Sequence, residues 1–368
     1  MYWIDPLQDP RWSRLVLRHP DGSVFHTVPW LQALQRTYGY RPIALTSGPA
    51  EEELADGIPF CEVNSWIRGY HLVSLPFSDH CQPLLEGREN WVAFTTCLRA
   101  HCGELGWKYV EIRPKSRIAF DGAGTPSLTE RDGLSEERNS SDDWFAADFT
   151  KHQGYKLHRI DLRSDLGTLF SNLHESCIRR KIRRAERGGL GYEAGRSESS
   201  LAEFYRLLVL SRRRRGLPPQ PMTWFRNLKD CFGEGLTIHL ASKNGRPIAA
   251  ILTLQYKDTL VYKYGCSDAA FHNLGAMPML FWKTIQTGKQ HGAQELDLGR
   301  SDLDNQGLAA FKQRLGASCS ELTYFRLSRD RFHASTTGIP WRIARSVFTR
   351  MPGRLSQIAG SVLYRHMG

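Results

Sequence analysis

Residues 295–317 carry the densest group of side chains in this sequence that can do chemistry. The run reads ELDLGRSDLDNQGLAAFKQRLGA, and its apolar start followed by polar residues predicts a strand that ends near DLGRSD. A glycine at a strand end lets a ligand approach the backbone closely. We therefore predict a site here, with Asp297 as a catalytic candidate and with Arg300, Ser301 and Lys312 as substrate-binding candidates.

The side chains of this segment suit the handling of a proton and of an anion. Asp297 can accept or orient a proton, and the planar guanidinium of Arg300 can clamp a phosphate or carboxylate with two hydrogen bonds. Lys312, on the short helix predicted after the strand, can complete a phosphate cradle near that helix N-terminus. The alternatives are an internal Asp297–Arg300 salt bridge and a solvated basic face on the helix.

Two tyrosines and a histidine upstream are further substrate-binding candidates. Tyr262 and Tyr264 are two residues apart on a predicted strand, so both rings are expected on one side, lining an acceptor cleft or belonging to the core. His272 follows that strand at a predicted helix start, where an imidazole can act as a base or cap the turn.

The remaining candidates lie in a polar turn and in a basic run. Asp79 and His80 follow the predicted strand HLVSLPF and are catalytic candidates, because an Asp–His pair can deprotonate an amine. Adjacent residues of an extended chain point to opposite sides, so a simple turn is the alternative. Arg179 and Arg180 belong to the run RRKIRRAER and can bind substrate phosphates or form an exposed helix face.

Two sets of predicted elements must position these residues. Residues 1–150 read as helix, strands, helix and strand, followed by an irregular connection rich in Gly, Ser and mixed charge. Residues 151–330 read as β-α-β-α-α-β-β-β-α-β-α-β, including an antiparallel meander with tight turns at Asn244-Gly245 and Lys257-Asp258. Residues 331–368 contain six arginines and no acidic residue, and their apolar spacing predicts a basic amphipathic tail. The sequence therefore predicts an α+β protein with two lobes and a tail.

The second-lobe sequence resembles the GNAT-like domain of the FemAB and BioF2-like acyltransferase group. The resemblance rests on DLGRS followed by GLAAFKQRLGA, and on the upstream run LFSNLHESCIRRKIRRAERGGLGYE. In the first lobe, VFHTVPWLQALQRTYGYRP and LVSLPFSDHCQPLL resemble the N-terminal half of the same group. The resemblance implies two GNAT-like lobes side by side, each a mixed, mainly antiparallel sheet flanked by helices.

The same resemblance implies an activity. It is N-acyl or aminoacyl transfer onto an amine of a cell-envelope, nucleotide-sugar or exopolysaccharide precursor, with acyl-CoA or another activated acyl donor as co-substrate and with no tightly bound cofactor. The long helical-hairpin arm of the tRNA-dependent members has no counterpart in this second lobe, which disfavours charged tRNA as the donor.

Composition restricts the remaining possibilities. The 368 residues are 41% hydrophobic and 24% charged, which is typical of a globular protein of two domains. Eight cysteines without a C-x-x-C pair predict no structural metal and a reducing, cytoplasmic location, and neither a signal peptide nor a membrane span is expected. The net charge of +11 predicts an anionic partner.

The anionic partner is expected to be a phosphorylated or lipid-linked sugar precursor, with peripheral contact between the tail and the inner membrane face. The alternative function is a non-catalytic module that binds nucleic acid or anionic lipid. Aromatic residues do not interleave with the basic runs as a base-stacking surface requires, so DNA is not expected as a partner.

Overall fold

The chain alternates short strands and helices along its whole described length; the computed structural model describes residues 1–85, 88–116, 119–120, 126–127, 149–328 and 353–368. The strands are β1 (Tyr2–Ile4), β2 (Arg41–Thr46), β3 (Ile58–Ser65), β4 (Gly69–Val73), β5 (Tyr109–Ile112), β6 (Ala119–Phe120), β7 (Pro126–Ser127), β8 (Thr150–Asp161), β9 (Gly191–Gly195), β10 (Leu236–Lys243), β11 (Arg246–Tyr256), β12 (Thr259–Ser267), β13 (Glu295–Asp302) and β14 (Ser318–Ser328). The α-helices are α1 (Pro10–Arg18), α2 (Val28–Tyr38), α3 (Arg88–Glu104), α4 (Leu166–Asn172), α5 (Arg180–Arg187), α6 (Glu198–Arg214), α7 (Met222–Phe232), α8 (Ala276–Gln290), α9 (Gln306–Arg314) and α10 (Gly353–Tyr364). No helix among these residues combines the length and the apolar character needed to cross a bilayer.

The chain divides into two compact units. Among the described residues, the first unit contains those up to Lys156 together with 320–328 and Tyr364–Gly368, and the second contains Leu157–Cys319 and 353–363. The predicted boundary between residues 150 and 151 therefore falls at the start of β8, whose residues are shared by both units. The assignment of the last strand to the C-terminal lobe is wrong for residues 320–328, because this part of β14 pairs with β5.

The first unit is built on a mixed sheet in the order β1-β2-β3-β4-β5-β14. The strands from β1 to β4 are antiparallel neighbours, β5 runs parallel to β4, and β14 runs antiparallel to β5. Apolar strand residues such as Phe60 pack with Trp91 and Phe94 of α3 in one core cluster. The apolar runs GIPFCEVNSW and HLVSLPF have the length that predicts two buried strands, and they lie in β3 and β4, which pair with each other.

The second unit is built on a sheet in the order β8-β13-β12-β11-β10-β9. The strands from β9 to β12 are antiparallel, and β13 runs parallel to β12. Asn244 and Gly245 have φ values of 51° and 76°, which is the conformation that a two-residue type I′ hairpin turn requires. The predicted meander is therefore confirmed. Helices α5 and α8 pack on this sheet through Ile182, Leu280 and other apolar residues.

Both units repeat one succession of elements. Three antiparallel strands are followed by a helix and by a strand parallel to the third: β2-β3-β4-α3-β5 in the first unit and β10-β11-β12-α8-β13 in the second. The α+β class with two lobes of mixed, mainly antiparallel sheet is thus confirmed. Most of the predicted irregular connection lies outside the described residues, apart from the paired strands β6 and β7.

The periodicity of the sequence predicts one helix from Asp165 to Arg187, but the structure breaks it into three pieces. Asp165 caps α4 by accepting a hydrogen bond from the Gly167 amide at 2.8 Å, but α4 ends at Asn172. His174 then leaves the helical conformation, with a φ of −59° and a ψ of 124°, and its amide donates to the carbonyl oxygen of Arg314 at the end of α9. A π-helix (Glu175–Arg179) leads into α5. This hydrogen bond to Arg314 replaces the one that the His174 amide would make in a continuous helix. Sequence periodicity cannot predict such a contact between distant residues.

Two buried histidines predict that acid destabilises both units. Burial lowers the pKa of His26, in the first unit, to about 3, and that of His239, in the second, to about 4. Each imidazole stays neutral in the folded protein but binds a proton in the unfolded chain below its ordinary pKa of 6.5. Stability is therefore complete above pH 6.5 and is lost as the pH falls toward these folded-state values, by about 2 kcal/mol per histidine at pH 5.

Urea unfolding at pH 7.5 and at pH 5 measures this loss. Carboxylates remain largely ionised in this range, so histidines dominate the change. The variant His239→Gln should lose less stability between the two pH values than the wild-type protein does, since it lacks one of the buried histidines that gain a proton on unfolding. Equal losses in the variant and the wild type would contradict the assignment to His239.

Candidate functional site

Strands β12 and β13 begin as parallel neighbours and then separate. Their paired residues end at Val261 and Asp297, although β12 continues to Ser267 and β13 to Asp302. Beyond the last pair, no further pairing joins these two strands in the described part of the chain. Backbone groups on the facing edges can therefore bind an extended ligand that lies between the strands. We call this space the strand gap.

A β-bulge interrupts β12 at the start of the strand gap. Thr253 of β11 pairs with Tyr262, whereas the preceding Leu252 pairs with Tyr264, so that Lys263 is an extra residue. Adjacent residues of β11 point to opposite faces of the sheet, and paired residues share a face. The bulge therefore places the two tyrosines on opposite faces.

The ring contacts agree with this placement. Tyr262 is half-buried, and its ring centroid lies 4.9 Å from that of Phe281 in α8. Tyr264 is buried; its ring lies 5.1 Å from Phe225, and its hydroxyl accepts a hydrogen bond of 2.9 Å from the Trp224 indole in α7. The prediction that both rings line one cleft is wrong. Tyr264 is a core residue, and Tyr262 alone lies on the face covered by α8.

The end of β13 is held by Asp297. Its side chain is 1% exposed, and Oδ1 accepts a hydrogen bond of 2.7 Å from the amide of Gly299, two residues further on. Gly299 has a φ of 68°, a left-handed conformation that glycine adopts without strain. Of the two roles predicted for Asp297, proton acceptor or orienting residue, this contact favours the second.

Lys312 and Ser301 are buried beside this turn. The Lys312 ammonium donates hydrogen bonds of 2.9 Å to the carbonyl oxygens of Gly299 and Arg300, so it ties α9 to the end of β13. The structure does not support a phosphate cradle at Lys312, nor a solvated face. The hydroxyl of Ser301 is buried and has no hydrogen-bond partner among the described residues. Arg300 is half-buried and remains a candidate.

A polar cluster lies at the C-terminal end of β12. Ser211 of α6 and Ser267 of β12 exchange two hydrogen bonds, of 3.0 and 2.9 Å. His272 Nε2 lies 2.9 Å from the Ser267 hydroxyl and 3.1 Å from Arg214 Nη1, in the last turn of α6. Because a guanidinium can only donate, Nε2 accepts and the imidazole is neutral. Ser267, His272 and Arg214 are the polar cluster.

The electrostatics of the polar cluster favour an anion. Burial, followed by the charge of Arg214, lowers the pKa of His272; Arg215 and Lys181 act in the same direction, and the carboxylate of Asp268 acts in the opposite direction. Capping was the alternative for His272, but Asp268 caps the short 3-10 helix that contains it, through the Ala270 amide. The next helix, α8, begins after Gly275 without a side-chain cap, so that its positive dipole end adds to the basic side chains.

The basic run on α5 is partly neutralised. Arg179 forms an ion pair of 2.5 Å with Glu175, and Arg183 pairs with the same carboxylate at 2.9 Å. Arg180 is exposed. Glu175 offsets the charge of Arg179, so only Arg180 remains as a candidate from the predicted phosphate site.

Asp79 and His80 lie in the first unit, in a loop whose contacts stabilise the fold. His80 is buried, and its ring meets that of Phe25 edge to face at 5.3 Å. The Asp79 carbonyl oxygen accepts a hydrogen bond of 2.7 Å from the hydroxyl of Tyr324. The buried imidazole is poorly placed to take a proton from a substrate amine, so the turn without catalysis is the better interpretation of these two residues.

Sequence reasoning missed an ion cluster in the first unit. Glu111 is buried between Arg113 and Arg326, each with a nitrogen 2.7 Å from a carboxylate oxygen. Burial alone would raise the pKa of Glu111, but the two guanidinium groups lower it to about 2. Arg113 is only two residues from Glu111, but Arg326 lies on β14, more than 200 positions away, and no local pattern marks its contact with Glu111. Within the described ranges, no three His, Cys, Asp or Glu side chains are arranged to hold a metal ion.

Comparison with known proteins gives one family match. Residues 174–313 match the family described as Acetyltransferase (GNAT) domain, a range that includes the strand gap and the polar cluster. No curated protein sequence matches the chain.

Solved structures share the architecture of the chain at low sequence identity. FemX superposes with a TM-score of 0.64 and 14% identity, covering 89% of this chain and 97% of that one. A tandem GNAT protein from the clavulanic acid biosynthesis pathway gives 0.55 and 10%, covering 90% and 99%. The C-terminal domain (DUF2156) of a protein from Agrobacterium fabrum, named as a lysylphosphatidylglycerol synthetase, gives 0.52 and 13%, covering 87% and 91%. Likeness at these identities shows the fold.

Proposed function

We propose that this chain, a FemAB-like acyltransferase of the GNAT type, transfers an acyl or aminoacyl group from acyl-CoA to an amine of a phosphorylated or lipid-linked cell-envelope precursor. The single observation that carries the proposal is the strand gap with the polar cluster at its C-terminal end. An acyl-CoA combines an amide-bearing arm with a diphosphate. The open strand edges suit the arm, and the positive charge suits the diphosphate.

The donor would be held by backbone groups and by charge. The arm would lie along β12 beyond Val261, where the strand edge lacks its parallel partner. Its phosphates would meet the N-terminal end of α8 and the guanidinium of Arg214. His272 holds Arg214 in place by accepting its hydrogen bond. This arrangement needs no metal ion and no covalent attachment to the protein.

Acyl transfer in such a site depends on proximity and electrostatics. The acceptor amine attacks the thioester carbonyl carbon, a C–N bond forms, the C–S bond breaks, and the proton of the amine compensates the charge of the leaving thiolate. Backbone amides that face the strand gap can stabilise the negative charge on the carbonyl oxygen during this step. Tyr262, half-buried at the bulge, is the side chain best placed to contact the reacting groups.

The acceptor is inferred from charge. Arg300 and Arg180 are basic side chains that remain partly or fully exposed near the ends of β13 and at the start of α5, and the whole chain carries a net charge of +11. A phosphate on the acceptor would complement them. The name of one structural neighbour includes a phospholipid product, which supports a lipid-linked acceptor. We propose a cytoplasmic location, since the eight cysteines are free in the structure.

Substitution of Arg214 tests donor binding. The variant Arg214→Gln should raise the KM for an acyl-CoA about tenfold with little change in kcat, because it loses one charge-assisted hydrogen bond to a phosphate. The matched control is Arg213→Gln, since Arg213 adjoins Arg214 but is not among the charges that lower the pKa of His272. The control should keep the wild-type KM.

Ligand-dependent melting separates this proposal from the non-catalytic alternative. Acyl-CoA should raise the Tm of the wild-type protein and of Arg213→Gln, and should raise that of Arg214→Gln less, because binding to the native state stabilises it. Charged tRNA and nucleotide sugars are the comparison ligands. If no acyl donor shifts the Tm, while polynucleotide binding falls steeply with salt, the protein is an anion-binding module instead.

A further inference from the structure

The C-terminal helix α10 is fixed to the protein along one side. A Cβ atom at Gly360 would lie 2.0 Å from the carbonyl oxygen of Pro219, so helix and loop are in direct backbone contact. The last helical residue, Tyr364, is buried, and its carbonyl oxygen accepts a hydrogen bond of 3.0 Å from the hydroxyl of Tyr40. The orientation of the helix is therefore set by packing.

The opposite side of α10 is apolar and exposed. Leu355, Ile358 and Val362 are exposed by 54%, 62% and 52%. At about 100° per residue, these three side chains fall within an arc of about 60°, while Gly360 and Tyr364 point roughly the other way. They form a stripe about 10 Å long, which we call the apolar stripe. In the described part of the chain nothing covers it.

The C-terminal sequence that contains the apolar stripe has one sign of charge. Residues 331–368 contain six arginines and no aspartate or glutamate. Apolar side chains on one face of a helix, within a cationic segment, are the combination that binds the interface of an anionic bilayer. A stable protein partner would need a buried area of at least about 1,000 Å² in total, and a three-residue stripe supplies much less. Charge and size thus favour lipid over protein.

We propose that α10 is a membrane-surface anchor. Leu355, Ile358 and Val362 enter the boundary between headgroups and acyl chains, and the net positive charge of the C-terminal sequence favours a bilayer with anionic headgroups. This anchor does not depend on the proposed acyl transfer. It holds the protein at the surface of a membrane, where a lipid-linked acceptor would be found.

Vesicle co-sedimentation tests the anchor. The wild-type protein should bind vesicles of phosphatidylglycerol and phosphatidylcholine, and should bind vesicles of phosphatidylcholine alone at least tenfold more weakly. The variant Leu355→Ser/Ile358→Ser/Val362→Ser should lose at least tenfold in binding to the anionic vesicles. The matched control is Leu17→Ser/Leu210→Ser/Leu303→Ser, which replaces three exposed leucines elsewhere on the surface. This control should bind as the wild type does.

Three outcomes would overturn the anchor. The stripe variant binds anionic vesicles as tightly as the control; or the wild type does not distinguish the two kinds of vesicle; or the stripe variant abolishes a self-association of the wild type that occurs without lipid. Transfer to a water-soluble amine keeps this test separate from the proposed function. The stripe variant should retain that activity, and failure to detect it in any protein would count against the acyl transfer alone.

Discussion

Replacement of Gly275 by alanine is expected to destabilise the second unit by about 2–5 kcal/mol and to abolish donor binding. Gly275 has a φ of 83°, and a Cβ atom there would lie 2.4 Å from the carbonyl oxygen of Lys181 in α5. The left-handed conformation costs a non-glycine residue about 1–2 kcal/mol, and the backbone contact cannot relax by a side-chain rotation, so α5 and α8 must move apart at a further cost of about 1–3 kcal/mol.

The control for this variant is Gly292→Ala. Gly292 has nearly the same φ, 80°, but nothing lies within 4 Å of a Cβ atom at that position. Its substitution measures the conformational cost alone, and we expect a loss of about 1–2 kcal/mol in urea unfolding. The difference between the two variants is the cost of separating α5 from α8. Equal losses would show that the contact between Gly275 and Lys181 can relax freely.

Replacement of Lys312 by methionine is expected to destabilise the second unit by about 2–4 kcal/mol. Methionine fills a similar volume, but the carbonyl oxygens of Gly299 and Arg300 lose the hydrogen bonds that the buried ammonium donates. A buried group without its hydrogen bond costs about 1–3 kcal/mol. Urea unfolding measures the loss, and crystals of the variant should show a displaced end of β13.

Arg314→Met is the matched control for Lys312→Met. Arg314 lies on the same helix, two residues further on, and is exposed. We expect a change of less than about 0.5 kcal/mol, as for other surface substitutions. If Lys312→Met were as stable as this control but had lost acyl transfer, Lys312 would belong to the chemistry rather than to the fold, and its first interpretation as a substrate ligand would be restored.

The spacing of apolar residues and the residues typical of tight turns were enough to predict most of the fold. The alternating apolar runs and the Asn244-Gly245 turn predict the β10-β11-β12 meander, because both signals are local and the structure keeps them. Contacts between residues that are distant in the sequence were not predictable in this way. The hydrogen bond from His174 to Arg314 breaks a helix whose periodicity is continuous, and the pairing of β14 with β5 joins residues more than 200 positions apart.

In the candidate site, too, local features were predictable from the sequence and contacts between distant residues were not. The prediction that a strand ends near DLGRSD is confirmed, since β13 ends at Asp302, but the predicted roles of Lys312 and Tyr264 do not agree with their contacts. A lysine on an amphipathic helix is expected in solvent, and only the tertiary structure shows that Lys312 turns to two carbonyl oxygens. Likewise, one extra residue at Lys263 reverses the side on which Tyr264 lies. The side chains of the polar cluster come from three elements: β12, α6 and the short 3-10 helix that contains His272. No single stretch of the sequence therefore indicates this cluster.

The separation of β12 from β13 has a consequence for the way in which the protein responds to its substrate. Amide hydrogens on the facing edges beyond Val261 and Asp297 lack a strand partner in the ladder between these strands, so solvent deuterium should replace them readily when the site is empty. A bound donor would supply the missing partner and slow that exchange. Under the proposed function, the donor would therefore complete the sheet, because it would supply hydrogen-bond partners to the facing edges of β12 and β13.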